Sequence, residues 1–398
     1  MLKYIRKMHI GEIKMKHEAL FKIIDEALDE YVSLWEEVCN IESPTSCKEG
    51  VDAAGKCFTD RAEKLGLEIE YHREEISGDA ICITLNPNAD GKPIVFSAHL
   101  DTVHPKGLFG YPPVKIEDGI IKGPGVIDCK GGAVSSFMAM EALMKIGFTA
   151  RPVKLILQSD EEISSITSGK RTVDFMAEKG KGATAFLNCE PSVGVYKTTV
   201  ARKGIIRYFF EISGKAFHSS ACYEGVNAVT EAAYKIIELE RWKDKDGITC
   251  NCGVIKGGTT PNTVAEHCEF YADIRYKTPE ELELIKARVA EIAETSYVEG
   301  SSCRYSVTSE RVSMPLKDET LLLAERLNKI SEENSLPKRE ICLSNGGSDA
   351  ADMSRRGILA VDSLGVCGGY MHSVNEYAYT ESLLHSAKLL AAAAMEIY

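Results

Sequence analysis

The chain has 398 residues, 44% of them hydrophobic and 27% charged, with a formal net charge of −12. That length exceeds the ~250–300 residues at which a single core stops growing, so two domains are expected. The acidity and the lack of a long basic run argue against nucleic acid or an anionic membrane surface as partner. No stretch reaches the ~18 uninterrupted apolar residues of a membrane span.

The first residues, MLKYIRKMHIGEIKMK, are basic but hold neither a continuous apolar segment nor a small-residue cleavage site. Residues 1–14 read as an extension ahead of a helix beginning near Met15. The thirteen cysteines form no regular framework, and without an export signal they are expected as reduced thiols of a cytoplasmic protein. Cys250 and Cys252 have no second pair, which argues against a zinc knuckle.

Over residues 15–40, Leu20, Ile23, Ile24, Ala27, Leu28, Tyr31, Leu34, Trp35 and Val38 recur at helical spacing. Ser43-Pro44-Thr45 breaks that pattern, and a second helix is expected over 49–66, closed by Gly66. Ile81–Leu85, Pro93–Ser97, Val153–Gln158 and Thr184–Asn188 read as strands, and Lys130–Ile146 as a helix with Gly147 after it. Strands alternating with helices imply an α/β layer structure around a mainly parallel sheet.

From Ile205 the order changes to β-α-β-β-α-β: strand Ile205–Ser213, helix Val226–Arg241, strands Ile248–Lys256 and Thr263–Arg275, helix Pro279–Tyr297, strand Cys303–Ser309. This is the split βαβ arrangement of a small independent sandwich. The first pattern resumes after about residue 312, with a helix near 318–334, a strand near Ile358–Val361 and a last helix from Thr380. One domain over 1–197 and 312–398, interrupted by an insertion over 198–311, is the expectation.

Three of the expected strands run into acidic or histidine clusters: SAHLD (97–101), SDEE (159–162) and NCEP (188–191). Ligands of open α/β sheets bind outside the carboxyl ends of the strands, so these clusters suit a common site. A fourth, GPGVID (123–128), is a glycine-rich loop opening the helix at Lys130. Taken alone, Asp160-Glu161-Glu162 reads as a solvated acidic turn and Glu190-Pro191 as turn chemistry. Their co-occurrence at successive strand ends is what argues for a site.

Imidazole nitrogen and carboxylate oxygen are zinc donors, and a hydrolytic pair of ions needs a carboxylate between them. His99 and Glu190 suit one ion, Glu162 and His372 the other, and Asp128 the position between. Asp101, two residues after His99, is placed to accept the ring's other N–H. Were the strand to persist, Glu161 and Glu162 would point oppositely, one ligating while the other serves as general base. No P-loop, dinucleotide fingerprint or Gly-x-Ser-x-Gly elbow is complete, so the nucleophile is expected to be metal-bound water.

SAHLDTV (97–103), GPGVIDCKGG (123–132), SDEE (159–162), GKAFHSS (214–220), PNTVAEHCEFYADIR (261–275) and NGGSDAADM (345–353) occur in an order that resembles a known family. It is that of the co-catalytic zinc peptidases and deacylases, including glutamate carboxypeptidase, aminoacylase, acetylornithine deacetylase and succinyl-diaminopimelate desuccinylase. The resemblance runs from about residue 40 to the C-terminus and is nearest the glutamate carboxypeptidase branch. It implies two Zn2+ ions on His99, Asp128, Glu162, Glu190 and His372, with Glu161 as general base; Co2+ or Mn2+ suits the same donors. It also implies a cis bond at Asp128–Cys129 and a lid domain over roughly 198–311 that makes a homodimer contact. His218 would stabilise an oxyanion, while Asn262, Arg275 and the Gly346-Gly347-Ser348 loop would hold a substrate carboxylate. Where many relatives carry a proline after that histidine, this chain has Ser219-Ser220-Ala221-Cys222-Tyr223, which bears on substrate preference.

The implied activity is hydrolysis of a small peptide or N-acyl amino acid beside a free carboxylate. A dipeptidase is the alternative within the family. A catalytically silent dimeric binding protein would be expected to have lost a ligand or the base, and none is lost.

Overall fold

A computed structural model describes residues 17–398. The extension expected over 1–14, and the start of the helix near Met15, lie outside the described residues. The chain divides into two compact units. The first comprises the described residues up to Val200, with Leu316–Leu343 and Ser348–Tyr398; the second comprises Ala201–Pro315 with Ser344–Gly347.

The first unit is built on a six-stranded sheet in the order Glu68–His72, Ala80–Leu85, Val153–Gln158, Ile94–His99, Ala185–Asn188, Ala360–Val361. The first two pairings are antiparallel and the last three parallel. Ala80–Leu85 and Ile94–His99 are buried at every position, as expected of strands covered on both faces. Glu68–His72 is a polar, partly exposed edge, and its charged EIEYH sequence gave no strand signal.

The helix Lys130–Lys145 packs on the Ile94–His99 and Val153–Gln158 strands and also touches Leu28–Asn40 and Glu381–Glu396. Enclosed in this way, it is buried at every residue from Lys130 to Leu143 and carries small residues throughout. Gly132 shows the need: a Cβ there would lie 2.0 Å from the Cys189 carbonyl oxygen. The N-terminal helix is interrupted at Ala27 and continues over Leu28–Asn40, and Lys48–Leu65 ends at Gly66 with φ 70°.

The second unit is an antiparallel four-stranded sheet in the order Thr249–Gly257, His267–Tyr276, Gly204–Ser213, Ser302–Arg311. Helices Ala228–Glu240 and Pro279–Glu294 cover one face, around a core holding Tyr208, Phe210, Phe270 and Ile285. Beneath them Lys235 and Glu231, each 1% exposed, form an ion pair of 2.9 Å. Lys235 Nζ also donates to the carbonyls of Ile292 and Thr295, both at 2.7 Å, so one buried cation caps the end of the neighbouring helix. All thirteen cysteines are free thiols, and no described helix is long and apolar enough to cross a membrane.

Candidate metal centre

Val153–Gln158, Ile94–His99 and Ala185–Asn188 lie side by side and parallel, with His99 opposite Gln158 and Ser97 opposite Asn188. Their carboxyl ends therefore leave the same edge, and the residues just beyond them converge there: Asp101, Glu161 with Glu162, and Glu190.

His99 is 1% exposed, and its Nδ1 lies 2.9 Å from the Asp101 carbonyl oxygen and 3.3 Å from Asp101 Oδ1. The main-chain carbonyl, rather than the expected carboxylate, is the nearer partner. With Nδ1 turned to Asp101, Nε2 faces inward, towards Asp128 and Glu190. Asp101's carboxylate has another task. Its Oδ1 accepts from Glu161 N at 3.1 Å, and its Oδ2 from Glu162 N at 3.1 Å and Thr45 Oγ1 at 2.7 Å.

Those two amides belong to a single 3-10 turn, Glu161–Ile163, so the strand does not persist to Glu162. The expectation of opposed strand faces is corrected here: at three residues per turn, neighbouring side chains diverge by roughly 120°. The strand stops because Gln158 Oε1 accepts from Asp160 N at 3.2 Å, turning the chain at the sheet edge.

Asp128 Oδ1 lies 3.1 Å from His99 Nε2, and its Oδ2 lies 3.1 Å from His372 Nε2. Glu190 Oε1 is 3.8 Å from the same His99 nitrogen, and Glu162 Oε2 is 3.4 Å from the same His372 nitrogen. The structure thus brings His99, Asp128, Glu162, Glu190 and His372 together. The bond between Asp128 and Cys129 is cis. His372 has φ 62° and a half-exposed side chain, marking the open side of the cluster.

The electrostatics are those of carboxylates crowded without enough positive charge. Burial, reinforced by Asp128, pushes Glu162 up to about 7 despite its contact with His372. Burial drives Glu190 well above the carboxylate range; His99 opposes this, while Glu161 and Asp128 add to it. For Asp128 burial is outweighed by hydrogen bonds from His372 and His99, which hold it low. Hydrogen bonds to Asp128 and Glu162 raise His372 to about 10. Two imidazoles and three carboxylates in this state, buried except for His372, fit divalent cations of the zinc type. Cys129 Sγ also lies near His99 and Glu190, but it donates to the Cys189 carbonyl at 3.0 Å and burial keeps its thiol protonated.

Three buried groups around this cluster carried no distinguishing signal in the sequence. Glu376 and His104 face each other, with Glu376 Oε2 2.6 Å from His104 Nε2. Lys130 is wholly buried and donates to Val38 O at 3.1 Å and Ile41 O at 2.7 Å, the open carbonyls ending the Leu28–Asn40 helix. Nothing in sequence separates such groups from surface charges, because their partners lie far along the chain.

In the second unit His218 and Asn262 are neighbours: Thr263 forms an antiparallel bridge with His218, and Ser219 N donates to Asn262 O at 2.9 Å. His218 Nδ1 accepts from Ser220 N at 3.2 Å, which places the neutral ring's proton on Nε2. Arg275 Nη1 donates to Asn345 O at 2.6 Å, and its Nε to Asp273 Oδ1 at 3.0 Å. Gly347 lies against Arg311, whose Cδ would be 2.3 Å from an added Cβ. In the first unit, Ser348 caps the helix Asp349–Arg355, accepting from Ala350 N at 3.3 Å while donating to the Asp362 carboxylate.

The chain is similar to several known proteins. Carboxypeptidase G2 of Pseudomonas sp. (strain RS-16) is 27% identical over 371 residues, covering 91% of this chain and 88% of that protein. The crystal structure of aminopeptidase PepT from Bacillus cereus ATCC 10987 superposes with a TM-score of 0.77 at 24% identity, over 93% of this chain and 98% of that one. Bacillus subtilis YXEP, described as a dinuclear metal binding peptidase, superposes with a TM-score of 0.70 at 15% identity, over 94% and 99% of the two chains. These two likenesses bear on the fold alone. The profile of peptidase family M20/M25/M40 matches residues 95–396, from the strand that delivers His99 into the last helix. The chain belongs to that family, as a metallopeptidase or amidohydrolase.

Proposed function

We propose that this chain is a two-metal carboxypeptidase or N-acyl-amino-acid deacylase, hydrolysing an amide whose amine side carries a free α-carboxylate. One observation supports it above the rest: the two oxygens of Asp128 face the Nε2 atoms of His99 and His372, each at 3.1 Å. In this reading His99 and Glu190 hold one ion, Glu162 and His372 the other, and Asp128 both. Zinc is the reading for this donor set; Co2+ and Mn2+ take the same atoms. When bound, such ions polarise the scissile carbonyl and acidify water at neutral pH.

The chain's own residues do the rest. Glu161, whose amide is pinned by Asp101, takes the proton of the attacking water and returns it to the leaving amine. His218, with its proton on Nε2, donates to the oxyanion, in its own subunit or a partner's. Asn262 and the planar fork of Arg275 take the substrate carboxylate, with the backbone of Gly347 and Ser348. The second unit acts as a lid and as the contact of a homodimer. Exposed Val254 and Tyr271 on its outer sheet face, the latter packed on Phe209, support the dimer. A cytoplasmic setting accords with thirteen free thiols.

The deciding experiment replaces Glu161 by Ala and measures metal content beside turnover on a panel of N-acyl amino acids and dipeptides, with and without chelator. Full metal content with no turnover is expected. A fully active, metal-loaded variant refutes the assignment of the base, and wild-type protein that turns over no member of the panel refutes the substrate class. Preference within the panel separates deacylase from dipeptidase.

A further inference from the structure

Glu376 is fully buried, four residues beyond His372, and its contacts reach the loops of two candidate ligands and the segment after a third. Its Oε1 accepts from Ile127 N at 3.0 Å and from Asp128 N at 3.2 Å. Its Oε2 lies 2.6 Å from Nε2 of His104, which leaves the His99 strand five residues after His99 itself. Its backbone oxygen accepts from Gly123 N at 3.3 Å, at the start of the glycine-rich loop that ends in Asp128. Its own N–H donates to Ser373 O at 3.1 Å, and Ser373 N to Tyr370 O at 3.2 Å, so His372 sits in a turn that Glu376 closes. His104 is held in turn by Phe109, edge-on at 4.9 Å between ring centroids.

A carboxylate is costly to bury unless its oxygens are matched, and here three donors are arranged for it, two of them main-chain N–H groups. One of those belongs to Asp128 itself and the other to the residue before it. Moving the carboxylate therefore moves the Asp128 backbone, and with it the side chain that faces both imidazoles. We propose that Glu376, anchored by His104, is a positioning residue of the metal centre: a single buried carboxylate that fixes the loops bearing Asp128 and His372 relative to the segment that follows the His99 strand. The inference rests on reading those three side chains as ligands. Metal affinity depends on ligands held within about 0.5 Å of their bound placement, which a shared anchor provides and three independent segments would not.

The test is the affinity of the folded protein for zinc, measured by competition with a chromophoric chelator, beside the thermal melt of the metal-free form and the split between kcat and KM. Partners that orient metal ligands are typically worth about 10–100-fold in affinity or activity. Glu376→Ala is expected to weaken zinc binding by about that factor and to lower kcat with KM little changed. Glu376→Gln keeps an oxygen for the two amides and presents its NH2 to the His104 ring, so it is expected to restore most of the affinity. A purely structural role would lower the metal-free melt and leave zinc affinity intact, and that result overturns the proposal. Should Glu376→Ala not fold, His104→Ala decides: it removes the anchor and spares the amide bonds, and unaltered zinc affinity there overturns the proposal as well. Wild-type protein that binds no zinc would instead refute the reading of the ligands.

Discussion

Asp101→Asn is the sharpest probe of how the centre is held. The native carboxylate divides its two oxygens between Glu161 N and Glu162 N, each at 3.1 Å, with Thr45 Oγ1 sharing the second at 2.7 Å. An amide has one oxygen, so one of those backbone N–H groups must face an NH2. An orphaned buried donor costs about 1–3 kcal/mol, which is the expected loss in unfolding free energy. If the turn shifts to relieve the clash, it carries Glu161 with it, and a displacement of about 1 Å costs on the order of 100-fold in rate. The expected outcome is a kcat lowered about 10–100-fold, with KM little changed and metal content retained. Thr45→Val removes one donor and leaves both oxygens to the amides, so its loss should be clearly smaller. Steady-state kinetics on the best substrate of the panel, with denaturant unfolding alongside, measures both. Wild-type kcat in Asp101→Asn, or equal damage from Thr45→Val, refutes the idea that this carboxylate sets the Glu161 turn.

Other buried groups give equally definite outcomes. Lys235→Met leaves Glu231 buried without its cation and the end of the Pro279–Glu294 helix uncapped, so denaturant unfolding should show a loss of about 3–5 kcal/mol. Burial opposes ionisation of Glu141, but hydrogen bonds from Arg61 (2.8 Å), Lys145 (2.7 Å) and Tyr31 (2.6 Å) outweigh it and lower its pKa to about 2. A depressed folded pKa gives stability that is present above the unfolded value near 4.5 and lost as pH falls towards 2, on the order of 3 kcal/mol. Glu141→Gln should flatten the stability profile across that window, and an unchanged profile contradicts the assignment. Zinc at 100 times its Kd should raise the unfolding free energy by about 2.7 kcal/mol per site, and a chelator should reverse the matching rise in Tm while abolishing turnover.

What could be read in the sequence was what local chemistry repeats. Val153–Gln158 announces itself as an apolar run cut off by Ser-Asp-Glu-Glu, and its neighbours behave alike, so the strand ends and the acidic stations after them were legible together. The helix at Lys130 and its glycine-rich approach were legible for the same reason. The 3-10 turn at Glu161 was not, because it depends on Asp101 accepting amides 60 and 61 residues away. Glu376 is further still, 248 residues from Asp128, and nothing local marks a glutamate that will be buried. The strands Lys115–Glu117, Ile120–Lys122 and Tyr377–Tyr379 are three residues each, too short for periodicity to register. His372 was legible almost wholly through resemblance: its placement comes from a loop rather than from a strand end.

The burial of Lys130 has a consequence for where this enzyme can be cut. Its ammonium seals the last turn of the Leu28–Asn40 helix, and Trp35 Nε1 of that helix donates to Val126 O at 3.0 Å, two residues before Asp128. The family profile starts at residue 95, yet that earlier helix is fastened to the approach of Asp128. Trimming to the profile boundary would leave a buried cation without acceptors beside the candidate metal centre. Minimal versions of this protein should therefore begin upstream of Leu28, and affinity tags belong at the N-terminal end, ahead of that helix, or on the exposed Tyr398.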